Sequence, residues 1–71
     1  MSTAVTAHIH GTVFRIEKRV GDAVAEGEAI VILESMKMEM PVESPAAGKV
    51  LEIHCAEGQS VAEGAVLALV G

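Results

Sequence analysis

One lysine in this chain is crowded by methionines: Glu34-Ser35-Met36-Lys37-Met38-Glu39-Met40. The chain has four methionines; Met1 is read as the initiator, and the other three fall in this single segment. A lysine amine is nucleophilic only when neutral, and an ordinary one, with a pKa of about 10.4, is neutral in roughly one molecule in a few thousand at pH 7. Lys37 is therefore read as a group acted on by another protein, not as a self-activated nucleophile. Two other pairs could do chemistry. His8 and His10 stand at i and i+2, a spacing that permits two metal ligands on one strand face. No carboxylate or cysteine lies at matching local spacing, so solvent-facing histidines are the simpler account and no metal site is assigned. His54 and Cys55 are adjacent. On a strand they point to opposite faces, which disfavours a cysteine–histidine nucleophile. No Ser-His-Asp set, glycine-rich phosphate loop or paired acids stands out. A chain of 71 residues hardly forms a pocket of the usual ligand volume. No catalytic residue is assigned.

The elements that position Lys37 can be read from alternation. From Met36 onward, Met36, Met38, Met40 and Val42 are expected on one strand face, and Lys37, Glu39, Pro41 and Glu43 on the other. The preceding run, Ala29 to Leu33, reads as an apolar strand. The chain must reverse between the two strands, and Met36-Lys37 is where the reversal belongs. Lys37 is thus expected at an exposed hairpin tip. Hairpin tips are usually polar, so Met36 and Met38 there suggest a surface that another protein grips. Met40 reads as an ordinary core residue. Pro41 and Pro45 each remove a backbone donor, which marks the return strand as an edge.

The segment lies between two copies of one pattern. With Gly11 to Glu34 laid over Gly48 to Gly71, an offset of 37, eight positions are identical without gaps. The shared centre is Gly-x-x-Val-Ala-Glu-Gly, at Gly21 to Gly27 and at Gly58 to Gly64. Short Val, Ile and Leu runs bounded by recurring glycines say β-strand, and no helix is expected. Each half alone would expose an apolar face, so the two should pack together. The expected fold is all-β: two small antiparallel sheets in a flattened barrel or sandwich with an internal pseudo-twofold repeat. The expected interior is Val13, Ile16, Val24, Ile30, Ile32, Met40, Val50, Ile53, Val61, Leu67 and Leu69. The first strand is expected at Ala7 to Gly11.

Composition limits the rest. The length allows one domain, residues 1–71, with a modest core. Phe14 is the only aromatic residue, so that core must be aliphatic. A net charge of −5 argues against nucleic acid, and Arg15, Lys18 and Arg19 read as a solvated strand end. The single Cys55 permits no internal disulfide, which fits a reducing compartment. No apolar run approaches the ~20 residues of a membrane span, and no signal segment opens the chain. A soluble cytoplasmic protein is expected. Met1-Ser2-Thr3 reads as a native start and Gly71 follows closely on the last strand, so a complete small protein is expected.

The segment Glu34 to Met40 closely resembles the attachment motif of biotinyl carrier domains, in which a small residue precedes Met-Lys-Met. Ser44-Pro45-Ala46-Ala47-Gly48-Lys49-Val50 and Glu57-Gly58-Gln59-Ser60-Val61 also resemble that family, as does an end 34 residues after Lys37. The resemblance runs from about Ile9 to Gly71, and its central motif is highly specific. Two features depart from the family. Ala7-His8-Ile9-His10-Gly11 stands where prolines around a methionine are usual. The gapless halves leave no room for the protruding thumb that some carriers insert.

The resemblance implies a barrel-sandwich hybrid with the acceptor lysine on a hairpin tip. It implies biotin as a covalent cofactor on Lys37, added by a biotin protein ligase that recognises Met36 and Met38. It further implies a carrier, not an enzyme in itself; a chain of 71 residues is expected to be a free-standing carrier, not fused to its partners and monomeric when isolated. Its partners would be a biotin carboxylase, which uses ATP and bicarbonate, and a carboxyltransferase that passes the carboxyl group to an acceptor, commonly an acyl-CoA. A lipoyl carrier of a 2-oxoacid dehydrogenase or glycine cleavage complex is the alternative. Lipoyl domains usually place an acidic residue before the lysine and a small one after it, where this chain has Met36 and Met38. An unmodified binding module is the third reading.

Overall fold

The computed structural model describes residues 2–71; Met1 lies outside the described residues. Eight strands form in chain order: β1 (Thr3–Thr6), β2 (Gly11–Ile16), β3 (Ala23–Val24), β4 (Ala29–Ser35), β5 (Met38–Glu43), β6 (Gly48–Ile53), β7 (Ser60–Val61) and β8 (Val66–Val70). There is no helix among the described residues. The strands make two four-stranded antiparallel sheets, ordered β1-β8-β6-β3 and β5-β4-β2-β7. Under the offset of 37 read in the sequence, β1 falls on β5, β8 on β4, β6 on β2 and β3 on β7. The two sheets are copies of one another.

Hydrogen bonds repeat in the same way. Gly27 N–H donates to Ser44 O and Gly64 N–H to Ala7 O, both at 2.8 Å. Gly21 N–H donates to Val50 O and Gly58 N–H to Val13 O, both at 2.7 Å. Each half's turns are therefore bonded to the other half, at Val50 in β6 and Val13 in β2 and at Ser44 and Ala7 just past the ends of β5 and β1. Gly21 and Gly58 have φ of 95° and 89°, a backbone state that glycine reaches without steric cost.

The core is aliphatic, as the composition requires. Val5, Val13, Ile30, Val31, Leu33, Val50, Leu67, Ala68 and Val70 are at most 1% exposed. Ala7, Val24, Val42 and Val61 complete it. Of the expected interior, Val13, Val24, Ile30, Val50, Val61 and Leu67 are buried, whereas Ile16, Ile32, Met40, Ile53 and Leu69 are only half-buried. The physical reason in β4 and β8 is a bulge. The β4–β5 register shifts between Ala29 and Val31, and the β1–β8 register shifts beside Leu67. A bulge puts two successive residues on one side. Ile30 and Val31 both point inward, as do Leu67 and Ala68, and Ile32 and Leu69 turn partly out. Matching shifts occur in β2 at Phe14 and in β6 at Leu51, leaving these side chains 41% and 45% exposed.

The expected first strand is also displaced. β1 is Thr3–Thr6, with Val5 buried, and His8 to His10 form a bend. The alternation read for the return strand holds from Met38 to Glu43, and Val42 is its buried member. β5 is an outer strand of its sheet and contains Pro41, which is where a missing donor is tolerated.

Candidate functional site

β4 and β5 form the hairpin that displays Lys37. Leu33 pairs with Met40, Glu34 with Glu39 and Ser35 with Met38. Met36 and Lys37 are left as a two-residue turn, with φ of 53° and 64°. Positive φ at both central residues is the type I′ geometry, whose twist matches the strands it joins. Asn and Gly are the usual residues there. Holding a non-glycine residue in this region costs on the order of 1–3 kcal/mol and persists only where the surroundings over-determine it. Here β4 is clamped on both sides, by β5 and by β2. Met36 therefore belongs to the turn itself and does not share the strand face of Met38, Met40 and Val42.

The tip is open. Lys37 is exposed, and its flanking methionines are 91% (Met36) and 62% (Met38) exposed. Exposing two large apolar side chains beside a charge forfeits burial that each could have had in a core. Among the described residues the ion pairs lie elsewhere, Lys18–Glu28 at 2.8 Å and Arg15–Glu17 at 3.5 Å, and Glu52 Oε1 is hydrogen-bonded to His54 Nε2 at 2.6 Å. No carboxylate depends on the Lys37 charge, so converting its amine to an amide orphans nothing. That suits an amine that accepts an acyl group as an amide. Glu34 and Glu39, paired across the base of the turn, give the tip an acidic collar.

The other candidate pairs come apart. His8 and His10 are exposed on the bend, not on a strand. Among the described residues, no group of three or more His, Cys, Asp or Glu is placed to hold a metal ion. His54 lies beyond the end of β6, bonded to Glu52. Cys55 is half-buried, and burial pushes its thiol above the ordinary value of 9.0, which disfavours the reactive thiolate. Among the described residues there is no pocket and no helix that could cross a membrane. The left-handed turn was invisible in residue types, since neither Met nor Lys favours it. The signal available was spacing: two strands with only two residues between them.

Fold and site together define a lysine-presenting domain, a body of two repeated sheets whose distinctive feature is one displayed amine. The chain belongs to the biotin/lipoyl attachment family, whose profile, described as "Biotin-requiring enzyme", matches residues 1–70. A Bacillus subtilis (strain 168) protein named biotin/lipoyl attachment protein is 38% identical over 63 residues, covering 89% of this chain and 86% of its own length. The human mitochondrial propionyl-CoA carboxylase alpha chain is 36% identical over 66 residues, covering 93% of this chain. The chain spans only 9% of that relative's length. The crystal structure of Kluyveromyces lactis urea carboxylase superposes with a TM-score of 0.95 at 30% identity, covering 100% of this chain and 6% of that one.

Proposed function

We propose that Lys37 is a biotin attachment site and that the chain is a carboxyl carrier of a biotin-dependent carboxylase, acting on an acyl-CoA. The observation that supports this most is the exposed, left-handed Met36-Lys37 turn with an exposed methionine on each side of the lysine. A biotin protein ligase would grip Met36 and Met38, activate biotin's carboxyl group with ATP as an acyl-adenylate, and direct neutral Lys37 Nζ onto its carbonyl, so that the amide forms as AMP leaves and the amine proton passes to a base of the ligase. The cation is lost in that step, taking the net charge from −5 to −5 − 1 = −6. Biotin held there as an amide of Lys37 would supply the carboxyl-carrying chemistry, which the side chains of this chain do not themselves provide. The chain's own residues supply position. A rigid two-sheet body holds the turn, the turn directs Lys37 outward, and the tether keeps the transferable group at millimolar-order effective concentration near its partner sites. The partners would be a biotin carboxylase and a carboxyltransferase, met by a monomer in a reducing, cytoplasmic setting that suits the unpaired Cys55.

The Bacillus relative's name covers lipoyl as well as biotin, which supports a lipoyl carrier as second reading. Met36 and Met38 weigh against it, since lipoyl domains usually have an acidic residue before the lysine and a small residue after it. Intact mass after expression with a biotin ligase and free biotin separates the two. The wild type is expected to gain one biotinyl group and Lys37→Arg none. A lipoyl increment, or no increment on the wild type, would overturn the proposal.

A further inference from the structure

We propose that Gly11 is the positioning residue of the tip: β2 approaches β4 at Gly11 closely enough to set the Met36-Lys37 turn, and only glycine permits that approach. The inference rests on the reading of Lys37 as the modified residue. Gly11 is buried. A Cβ built on it would stand 2.8 Å from Glu34 O and 3.5 Å from the Ser35 Cβ. Glu34 and Ser35 are the last two residues of β4, immediately before the turn, and Thr12 already pairs with Glu34. On its other side Gly11 pairs with Val61 of β7, so β2 cannot retreat freely. An added methyl group must push a backbone carbonyl at the root of the tip. Two non-glycine residues at positive φ hold only while that root is fixed, so a shift there releases the turn and redirects Lys37.

The internal repeat supplies the control. Gly48 is the equivalent of Gly11, and a Cβ on it would stand 2.8 Å from Gly71 O. The nearest clash is again a backbone carbonyl at 2.8 Å, with Val70 Cγ1 also close at 3.3 Å, so the lesion is at least as severe, but it lies in the other sheet, at the end of β8. A purely structural role for these glycines predicts the same outcome for both. The positioning role predicts a split.

The test compares Gly11→Ala with Gly48→Ala, using thermal unfolding, one-bond Cα–Hα scalar couplings of Met36 and Lys37, which separate positive from negative φ, and steady-state kinetics of biotin transfer by a biotin protein ligase. Both variants are expected to lose similar thermal stability. Gly11→Ala alone is expected to lose the couplings of a left-handed turn, and its kcat/KM for modification should fall at least about tenfold, with Gly48→Ala within about twofold of wild type. Equal rates in the two variants, or unchanged couplings in folded Gly11→Ala, would overturn the proposal. Should Gly11→Ala fail to fold, Ser35→Val thickens the same gap from the β4 side with every glycine in place. Unchanged turn couplings there would overturn it equally. A wild type that no ligase modifies would strike the reading of Lys37, whereas the couplings judge Gly11 independently of biotin.

Discussion

Met36 and Lys37 hold backbone angles that neither side chain favours, so the residues at the tip are there for something other than stability. Replacing both by Asn-Gly should relieve the turn, stabilising the domain by on the order of 1–2 kcal/mol. Each kcal/mol corresponds to roughly 4–8 °C in Tm for a domain of this size. Thermal unfolding checks this, and an unchanged or lower Tm would mean that the turn is not strained. Such trade-offs between stability and function are common at working sites. Away from the tip, the Lys18–Glu28 pair sets a pH dependence. The hydrogen bond from Lys18, with that from the Ala25 N–H, lowers the Glu28 carboxyl from its ordinary 4.5, and the same bond to Glu28 raises Lys18 from its ordinary 10.5. The Glu28 contribution is present above pH 4.5 and lost as pH falls through its lower folded value. The Lys18 contribution is present below 10.5 and lost as pH rises through its higher folded value. Both groups are solvent-facing, so the effect is modest. Lys18→Met should show a smaller loss of stability between neutral and strongly acid pH than the wild type, measured by urea unfolding at each pH.

At the scale of elements, the hairpin and the repeat were legible because both rest on spacing. Two residues separate β4 from β5, and glycines recur at one offset in both halves. What spacing could not reveal was the bulges. Strict alternation buries Ile30 and Ile32, and the fold instead buries Ile30, Val31 and Leu33. Whether Val31 or Ile32 faces inward is decided by one unpaired residue in the register, and nothing in the type of either residue records it. Thr3–Thr6 was missed for a related reason. Its pairing to β8 depends on residues far along the chain, and only Val5 of its four residues is buried. The bulges make a prediction of their own. Ile30 and Leu67 occupy equivalent bulge positions at 0% exposure. Ile30→Ala and Leu67→Ala should each cost about 2–5 kcal/mol, and by similar amounts. Chemical denaturation measures both, and a large difference would show that the halves are not energetically equivalent.

The whole molecule is two copies of one sheet interlocked through the Gly21/Gly58 and Gly27/Gly64 bonds, with extents of 33 × 17 × 16 Å. Such a body can be rigid without being large, because most of its contacts join residues distant in the chain. Rigidity is what a carrier requires of its body, since the only moving part should be the lysine arm and what it bears. Between the two copies, β4 runs on through the Met36-Lys37 turn into β5. The proposed function thus rests on one amine, that of Lys37. Its most direct measurement is tryptic mapping of the protein isolated from cells that contain biotin protein ligase. Biotin on Lys37 would block cleavage there, and the expected result is a single 20–49 fragment carrying one biotinyl group. Fragments 20–37 and 38–49, both unmodified, or the 20–49 fragment bearing a lipoyl group, would contradict it.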